Sequence, residues 1–113
     1  MRIIGGVNKG QNIIAPVNSK IRPTSDRVRE SIFNILDARL DFGFTGLTVL
    51  DLFSGSGAFA FEALSRGADK AISVDKDQSS IDLLRSNMAI LNVDKFLTIF
   101  FYIIQKIFNC IKM

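Results

Sequence analysis

Short apolar pairs flank a polar turn at the N-terminus, apolar positions then recur at helical spacing, and from Leu47 onward apolar runs alternate with helical ones. In residues 1–15, "RII" and "QNIIA" are β-rich runs separated by "VNKGQ", a turn sequence in which Gly10 is free to take positive φ, and together they predict a β-hairpin. Gly5 and Gly6 are unusual in a strand and point to a bulge or a close backbone approach. "APVNSKIRP" reads as a loop holding both prolines of the chain, Pro16 and Pro23. "TSDRVRESIFNILDARL" predicts a helix. Thr24 or Ser25 serves as N-cap, and Asp26 suits the positive end of the helix dipole. Val28, Ile32, Ile35, Leu36 and Leu40 form its apolar face, with Arg27, Arg29 and Glu30 away from the centre of that face. "DFGFTG" closes the segment as a linker.

The pattern then becomes β-α-β-α. "LTVLDLF" is near-continuously apolar, as a strand buried on both faces should be. Residues 58–66 predict a short helix that Gly67 ends in the left-handed conformation. "KAISVD" is a second strand, and "SSIDLLRSNMAILN" a second helix with Ser79 or Ser80 near its cap and Asn92 near its end. "KFLTIFF" opens a third strand. Strands alternating with helices imply a parallel sheet with right-handed crossovers. The tail "FLTIFFYIIQKIFNCIKM" differs in kind, and its nine-residue apolar run, Phe96 to Ile104, is too short to span a bilayer. No membrane partner is expected. Three regions follow: 1–46, a hairpin and helix; 47–95, a β-α-β-α unit; and 96–113, an atypical apolar tail.

Composition narrows the chemistry. A chain of 113 residues, 48% apolar and 22% charged, can build one modest soluble core. The net charge of +3 permits an anionic partner such as RNA without demanding one. Residues 1–40 hold seven bases (Arg2, Lys9, Lys20, Arg22, Arg27, Arg29, Arg39) against three acids (Asp26, Glu30, Asp37), so the first third carries the excess. That segment is either a solvated face or one that faces nucleic acid. A single cysteine, Cys110, rules out a disulfide framework and points to a reducing compartment, here the cytoplasm. The absence of histidine removes Ser-His and Cys-His catalysis and most catalytic zinc sites, and no metal is expected. The N-terminus lacks the apolar region of a secretory signal.

The chemical signal lies in "DLFSGSGAFAFEALSRGA", residues 51–68. Gly55 and Gly57 follow a strand directly. The first permits a tight turn, and the second lets backbone approach a ligand with no Cβ in the way. The first amides of the next helix face the same place. Asp75 ends the following strand, 20 residues after Gly55, where a carboxylate accepts bonds from ribose hydroxyls. Two cofactors compete. Gly55, Gly57 and Ala60 satisfy the dinucleotide fingerprint, but 46 residues precede this first strand, and Asp51 would set negative charge near a pyrophosphate. A carboxylate at Asp51 suits a positive ammonium instead, as in S-adenosyl-L-methionine.

These stretches resemble the bacterial RsmD family, which methylates the exocyclic N2 of a guanine in 16S ribosomal RNA of the small subunit. The matching motifs are "MRIIGG", "RPTSDRVRESIFNIL" at 22–36, "LDLFSGSGAFAFEALSRGA" at 50–68, "VDKD" at 74–77 and the helix through "LLRSNM", covering about residues 1–95. The resemblance implies the first half of a class I methyltransferase sheet, an α/β Rossmann-like fold, preceded by the hairpin and helix. It implies that Asp51, Ser54, Gly55 and Gly57 form the S-adenosylmethionine turn, that Asp75 holds the ribose, and that Lys76 lies beside the adenine. Thr24, Asp26 and Arg29 match a helix motif that closes over the methionine end. Arg2, Lys9 and Arg22 would face RNA phosphates, with simple solvation as the alternative. Glu62 and Arg66 are structural in this reading, and Phe59 and Phe61 replace smaller aliphatics.

Methyl transfer of this kind needs no metal and rests on positioning and electrostatics. In the family the positioning group is an Asp/Asn-Pro-Pro-aromatic motif after the fourth strand, which stacks the flipped base. With prolines only at 16 and 23, these residues contain no such motif, so no catalytic residue is identified. The chain therefore reads as an N-terminal half, an rRNA methyltransferase by resemblance but inactive alone. A non-catalytic cofactor- or RNA-binding remnant is the alternative. The Phe/Ile/Lys/Asn tail is what an AT-rich coding frame would give after a frameshift or premature stop, an expectation that fails if no downstream frame encodes the missing motif. The first strand, central in a doubly wound sheet, would be left with an unpaired edge, so self-association there is expected.

Overall fold

The computed structural model describes residues 1–17, 24–52 and 54–101. Helix α1 (Asp26–Arg39) starts at Ser25, whose hydroxyl accepts the Val28 amide, so Ser25 rather than Thr24 is the cap. A short strand, β1 (Asp41–Phe44), follows where a linker was expected. It forms because Phe44 is buried against Phe33, ring centroids 5.4 Å apart.

The sheet has three parallel strands in the order β2 (Thr48–Asp51), β3 (Lys70–Asp75) and β4 (Leu97–Phe101). Helix α2 (Ala58–Ser65) joins β2 to β3, and α3 (Gln78–Leu91) joins β3 to β4. This is the expected β-α-β-α unit of a partial Rossmann-like fold. Helix α2 ends in a Schellman pattern, with Gly67 at φ 113° and the Ala68 amide on the Ala63 carbonyl. Helix α3 is capped at Asp77, with Ser79 and Ser80 in its first turn, and the extended backbone persists through Asp77, whose amide is held by Asp75.

Both helices cover the same face of the sheet. Ala60, Phe61, Ile81, Leu84 and Leu91 pack with Ala71 and Leu97, and Ile3 and Ile13 close one end of this core. The opposite face is partly open: Leu50 is 56% exposed and Phe100 50%. This corrects the reading of "LTVLDLF" as a strand buried on both faces. Strand β2 pairs only with β3 among the described residues, and helices flank only one of its faces. No helix among the described residues is long and apolar enough to cross a membrane.

Two further expectations are corrected. The N-terminal hairpin shrinks to one antiparallel bridge, Arg2 with Asn12, flanked by bonds from the Ile3 amide to Gln11 and the Ile13 amide to Met1. After Ile3 the chain leaves the ladder to bond with α2. On α1, the buried residues are Arg29 and Phe33, whereas Val28, Ile32, Ile35 and Leu36 are exposed. A buried carboxylate on α2, Glu62, draws the Arg29 edge of α1 inward and turns the apolar stripe aside.

Candidate functional site

The glycine turn is built from the ends of β2 and β3. The Ser54 hydroxyl donates to the Asp51 carbonyl at 2.9 Å, and the Gly57 amide to the Ser54 carbonyl at 2.8 Å. The Ser54 amide reaches across to the Val74 carbonyl at 3.2 Å. Asp75, at the end of β3, accepts the Gly55 amide on Oδ2 at 2.9 Å and the Asp77 amide on Oδ1 at 3.0 Å. One carboxylate thus ties the glycine turn to the start of α3, and each oxygen keeps acceptor capacity for a further donor. The structure therefore brings Asp51, Ser54, Gly55 and Asp75 together. Lys76 lies next to them, exposed.

The two glycines share positive φ but differ in their surroundings. Gly57 has φ 85°, and a Cβ there would sit 2.5 Å from both Leu84 and Phe61. It serves the turn and the packing of α2 on α3. Gly55 has φ 52° and open space where a Cβ would be.

Thr24, Asp26 and Arg29 belong to a different cluster. Arg29 is fully buried, and its Nε donates to Glu62 at 3.3 Å. Its Nη2 donates to Asp26 at 2.9 Å and also to the Arg2 carbonyl. Nη1 has no hydrogen-bond partner among the described residues. Thr24 directly precedes the Ser25 cap of this helix. Glu62 is the hub: it accepts the amides of Ile4 at 3.0 Å and Gly5 at 2.9 Å, and Arg66 Nε at 2.9 Å. Burial by itself would raise the Glu62 carboxyl, but the Ile4 amide, Arg66, the Gly5 amide and Arg29 outweigh it and hold the group below the usual carboxylate range. Burial would lower Arg66, yet Glu62 and Asp37 together raise it. These contacts fit the structural reading of Glu62 and Arg66.

"GG" in "MRIIGG" now has a cause. A Cβ at Gly6 (φ 80°) would lie 1.8 Å from the Ser65 carbonyl, and one at Gly5 about 3.0 Å from the Arg66 guanidinium. The predicted close approach is to the end of α2. Ser65 completes the clamp, its hydroxyl donating to the Gly5 carbonyl and accepting the Asn8 amide. Of the three proposed phosphate contacts, Arg2 and Lys9 are exposed and Arg22 lies outside the described residues. Sequence reading missed Ser65 and Asn87. Asn87 carried a usable signal: it is a polar residue between Leu84 and Leu91 at core spacing on α3.

A family model described as "Conserved hypothetical protein 95" matches residues 1–107. The chain belongs to that family, the RsmD family. This RsmD-family chain is 41% identical over 96 residues to ribosomal RNA small subunit methyltransferase D of Escherichia coli K12, covering 80% of the chain and 44% of the relative. It is 40% identical over 98 residues to an uncharacterized methylase of Rickettsia prowazekii, covering 83% and 42%. A solved hypothetical protein of Thermus thermophilus superposes with a TM-score of 0.79 at 30% identity, over 94% of this chain and 57% of that one. The chain spans about half the length of the curated relatives it matches. The family is one of methyltransferases, and the fold is that of their N-terminal half.

Proposed function

We propose that the chain supplies the cofactor-binding half of an enzyme that uses S-adenosyl-L-methionine to methylate the exocyclic N2 of a guanine in 16S rRNA, in the cytoplasm. The observation that carries this reading is the Asp75 carboxylate held against the Gly55 amide, in a turn that opens at Gly55. The ribose hydroxyls would complete the acceptor capacity of Asp75, with Lys76 beside the adenine. Asp51 and Ser54 would face the ammonium end, where a carboxylate is favoured. Thr24, Asp26 and Arg29, which cluster on Glu62 and not on the turn, would close over the methionine end from there, as the family resemblance implies. Arg2, Lys9 and Arg22 would meet the phosphates of the small-subunit RNA.

When bound, the cofactor supplies an electrophilic methyl. The residues named here bind and orient it. Those that would position the guanine amine, the Asp/Asn-Pro-Pro-aromatic motif, are not within these 113 residues. The chain by itself is therefore expected to bind S-adenosylmethionine weakly and to transfer no methyl group. Titration calorimetry against S-adenosylmethionine and NAD tests the cofactor: heat with NAD alone would overturn the reading. An assay on 30S subunits tests the second half: methylation by the purified chain would overturn the claim that it lacks the catalytic machinery. The missing motif favours one other reading, a non-catalytic module that keeps cofactor or RNA affinity. We also propose self-association through the free edge of β2.

A further inference from the structure

Asn87 is fully buried on α3. Its Oδ1 accepts the Ile14 amide at 2.7 Å, and its Nδ2 donates to the Ile14 carbonyl and to the Ser56 carbonyl, both at 3.0 Å. Both amide N–H donors and the acceptor are thus engaged. The partners are distant in sequence and different in kind. Ser56 is the middle of the glycine turn, between Gly55 and Gly57, and is itself 5% exposed. Ile14 ends the N-terminal pair that carries Arg2 and Lys9. A second, weaker link runs in parallel, the Ser56 hydroxyl donating to Met1 Sδ at 3.6 Å. A buried carbonyl needs a partner, and Asn87 supplies one to the Ser56 carbonyl. Fixing that carbonyl fixes the plane of the Ser56–Gly57 peptide. It thereby restrains the entry into α2, next to the peptide whose Gly55 amide meets Asp75.

We propose that Asn87 is a positioning residue that sets the shape of the cofactor turn and couples it to the N-terminal basic segment. It has no contact with the ligand and acts through Ser56 and Ile14. The identity of the ligand rests on the reading above; the coupling does not. Because binding free energies are reciprocal, RNA held on the segment would change cofactor affinity by the same factor as cofactor changes RNA affinity.

The test compares Asn87→Leu and Asn87→Asp with Ser65→Ala, which loosens the same N-terminal segment from its other end without touching the turn. Hydrogen exchange is read at residues 12–15 and 54–57, and S-adenosylmethionine affinity by calorimetry. Asn87→Leu is expected to speed exchange in both segments and weaken affinity by about tenfold. Asn87→Asp keeps an acceptor for the Ile14 amide but loses both donors, so it should loosen 54–57 more than the Ile14 amide. It also serves if the leucine variant does not fold. Ser65→Ala should speed exchange near residues 5–8 and, reaching the turn only through Asn87, change 54–57 and the affinity much less than Asn87→Leu does. Unchanged exchange at 54–57 in both Asn87 variants overturns the proposal. So does a loss of affinity in Ser65→Ala equal to that in Asn87→Leu, since general loosening would then explain the effect. If the unaltered chain takes up no S-adenosylmethionine, the cofactor reading fails, and the exchange comparison still decides the coupling.

Discussion

Two regions of the molecule hold α1 and the sheet in opposite ways. Where the N-terminal segment docks, Ile3 and Ile13 enter the core, and around them the contacts are polar, directional and enclosed: Glu62, Arg29, Arg66 and Ser65 bond to backbone and to one another. On the outer face of α1, the β2 edge that is unpaired among the described residues and the far face of the sheet, the surface is apolar and open, with Val28, Ile35, Leu50 and Phe100 each at least half exposed. Buried charges tolerate only the geometry that pairs them, so the clamp is specified within these residues. Apolar surface accepts any apolar partner, so the open region says only that something is to be covered. The difference explains how a chain spanning half the length of its relatives can hold a well-defined turn beside an open apolar surface.

The sharpest way to break that contrast is to remove the hub. Glu62→Ala leaves Arg29 buried without its enclosed counter-charge and frees two backbone amides, a change worth about 3–5 kcal/mol by the precedent of broken buried pairs. Chemical denaturation should show the loss, and full stability in the variant would mean that the clamp is ornamental. The next effect separates the glycines. Gly57→Ala forces a Cβ into Leu84 and Phe61, costing about 1–3 kcal/mol, on top of a left-handed backbone penalty of roughly 1–2 kcal/mol. Gly55→Ala meets only the left-handed backbone penalty, roughly 1–2 kcal/mol, yet should weaken S-adenosylmethionine more per unit of lost stability. Equal ratios of binding loss to stability loss in the two variants would remove the distinction drawn between them.

Acid should act on the clamp selectively. The folded Glu62 carboxyl is held below its ordinary value of 4.5, so its contribution is complete above that value and is lost as pH falls through the lower folded one. Hydrogen exchange at residues 4–8 should therefore rise below about pH 4.5 before exchange in β3 does. Simultaneous loss in both segments would mean that Glu62 does not govern the docking of the N-terminal segment.

The legible part of this protein was its periodicity. Strands and helices alternating from Leu47 gave the parallel unit, and the spacing of Gly55 from Asp75 placed two residues that do form a hydrogen bond. The illegible part lay where one interaction overrode a pattern. The apolar stripe of α1 points outward because a single enclosed carboxylate, Glu62, pulls Arg29 inward. Helical spacing cannot weigh that against four aliphatic side chains. The roles of Gly55 and Gly57 were likewise hidden, because which glycine meets side chains depends on Leu84, 27 residues further along a different helix. The docking of "GG" on Ser65 was foreshadowed as a close approach, but its partner could come only from the fold.

The smallest expected change in folding stability falls on the open region, and there it is the contrast itself that is tested. Ile32 is 37% exposed and Ile35 56%, and neither lies in the buried clusters, so Ile35→Glu, with or without Ile32→Glu, removes little burial from the folded chain. Folding stability should move by about 0.5 kcal/mol or less, as surface substitutions do. Association should respond more. If apolar surface on α1 joins the β2 edge in holding copies together, analytical ultracentrifugation will show the charged variants shifting toward monomer at a concentration where the unaltered chain is associated. Leu50→Lys, on the uncovered face of β2, should act in the same direction by placing a charge beside an edge that pairs with nothing among the described residues. An unaltered chain that is monomeric and melts cooperatively would show that the bare surface needs no partner. A large loss of stability in Ile35→Glu would show instead that the stripe is already covered, and that the two regions do not differ as described.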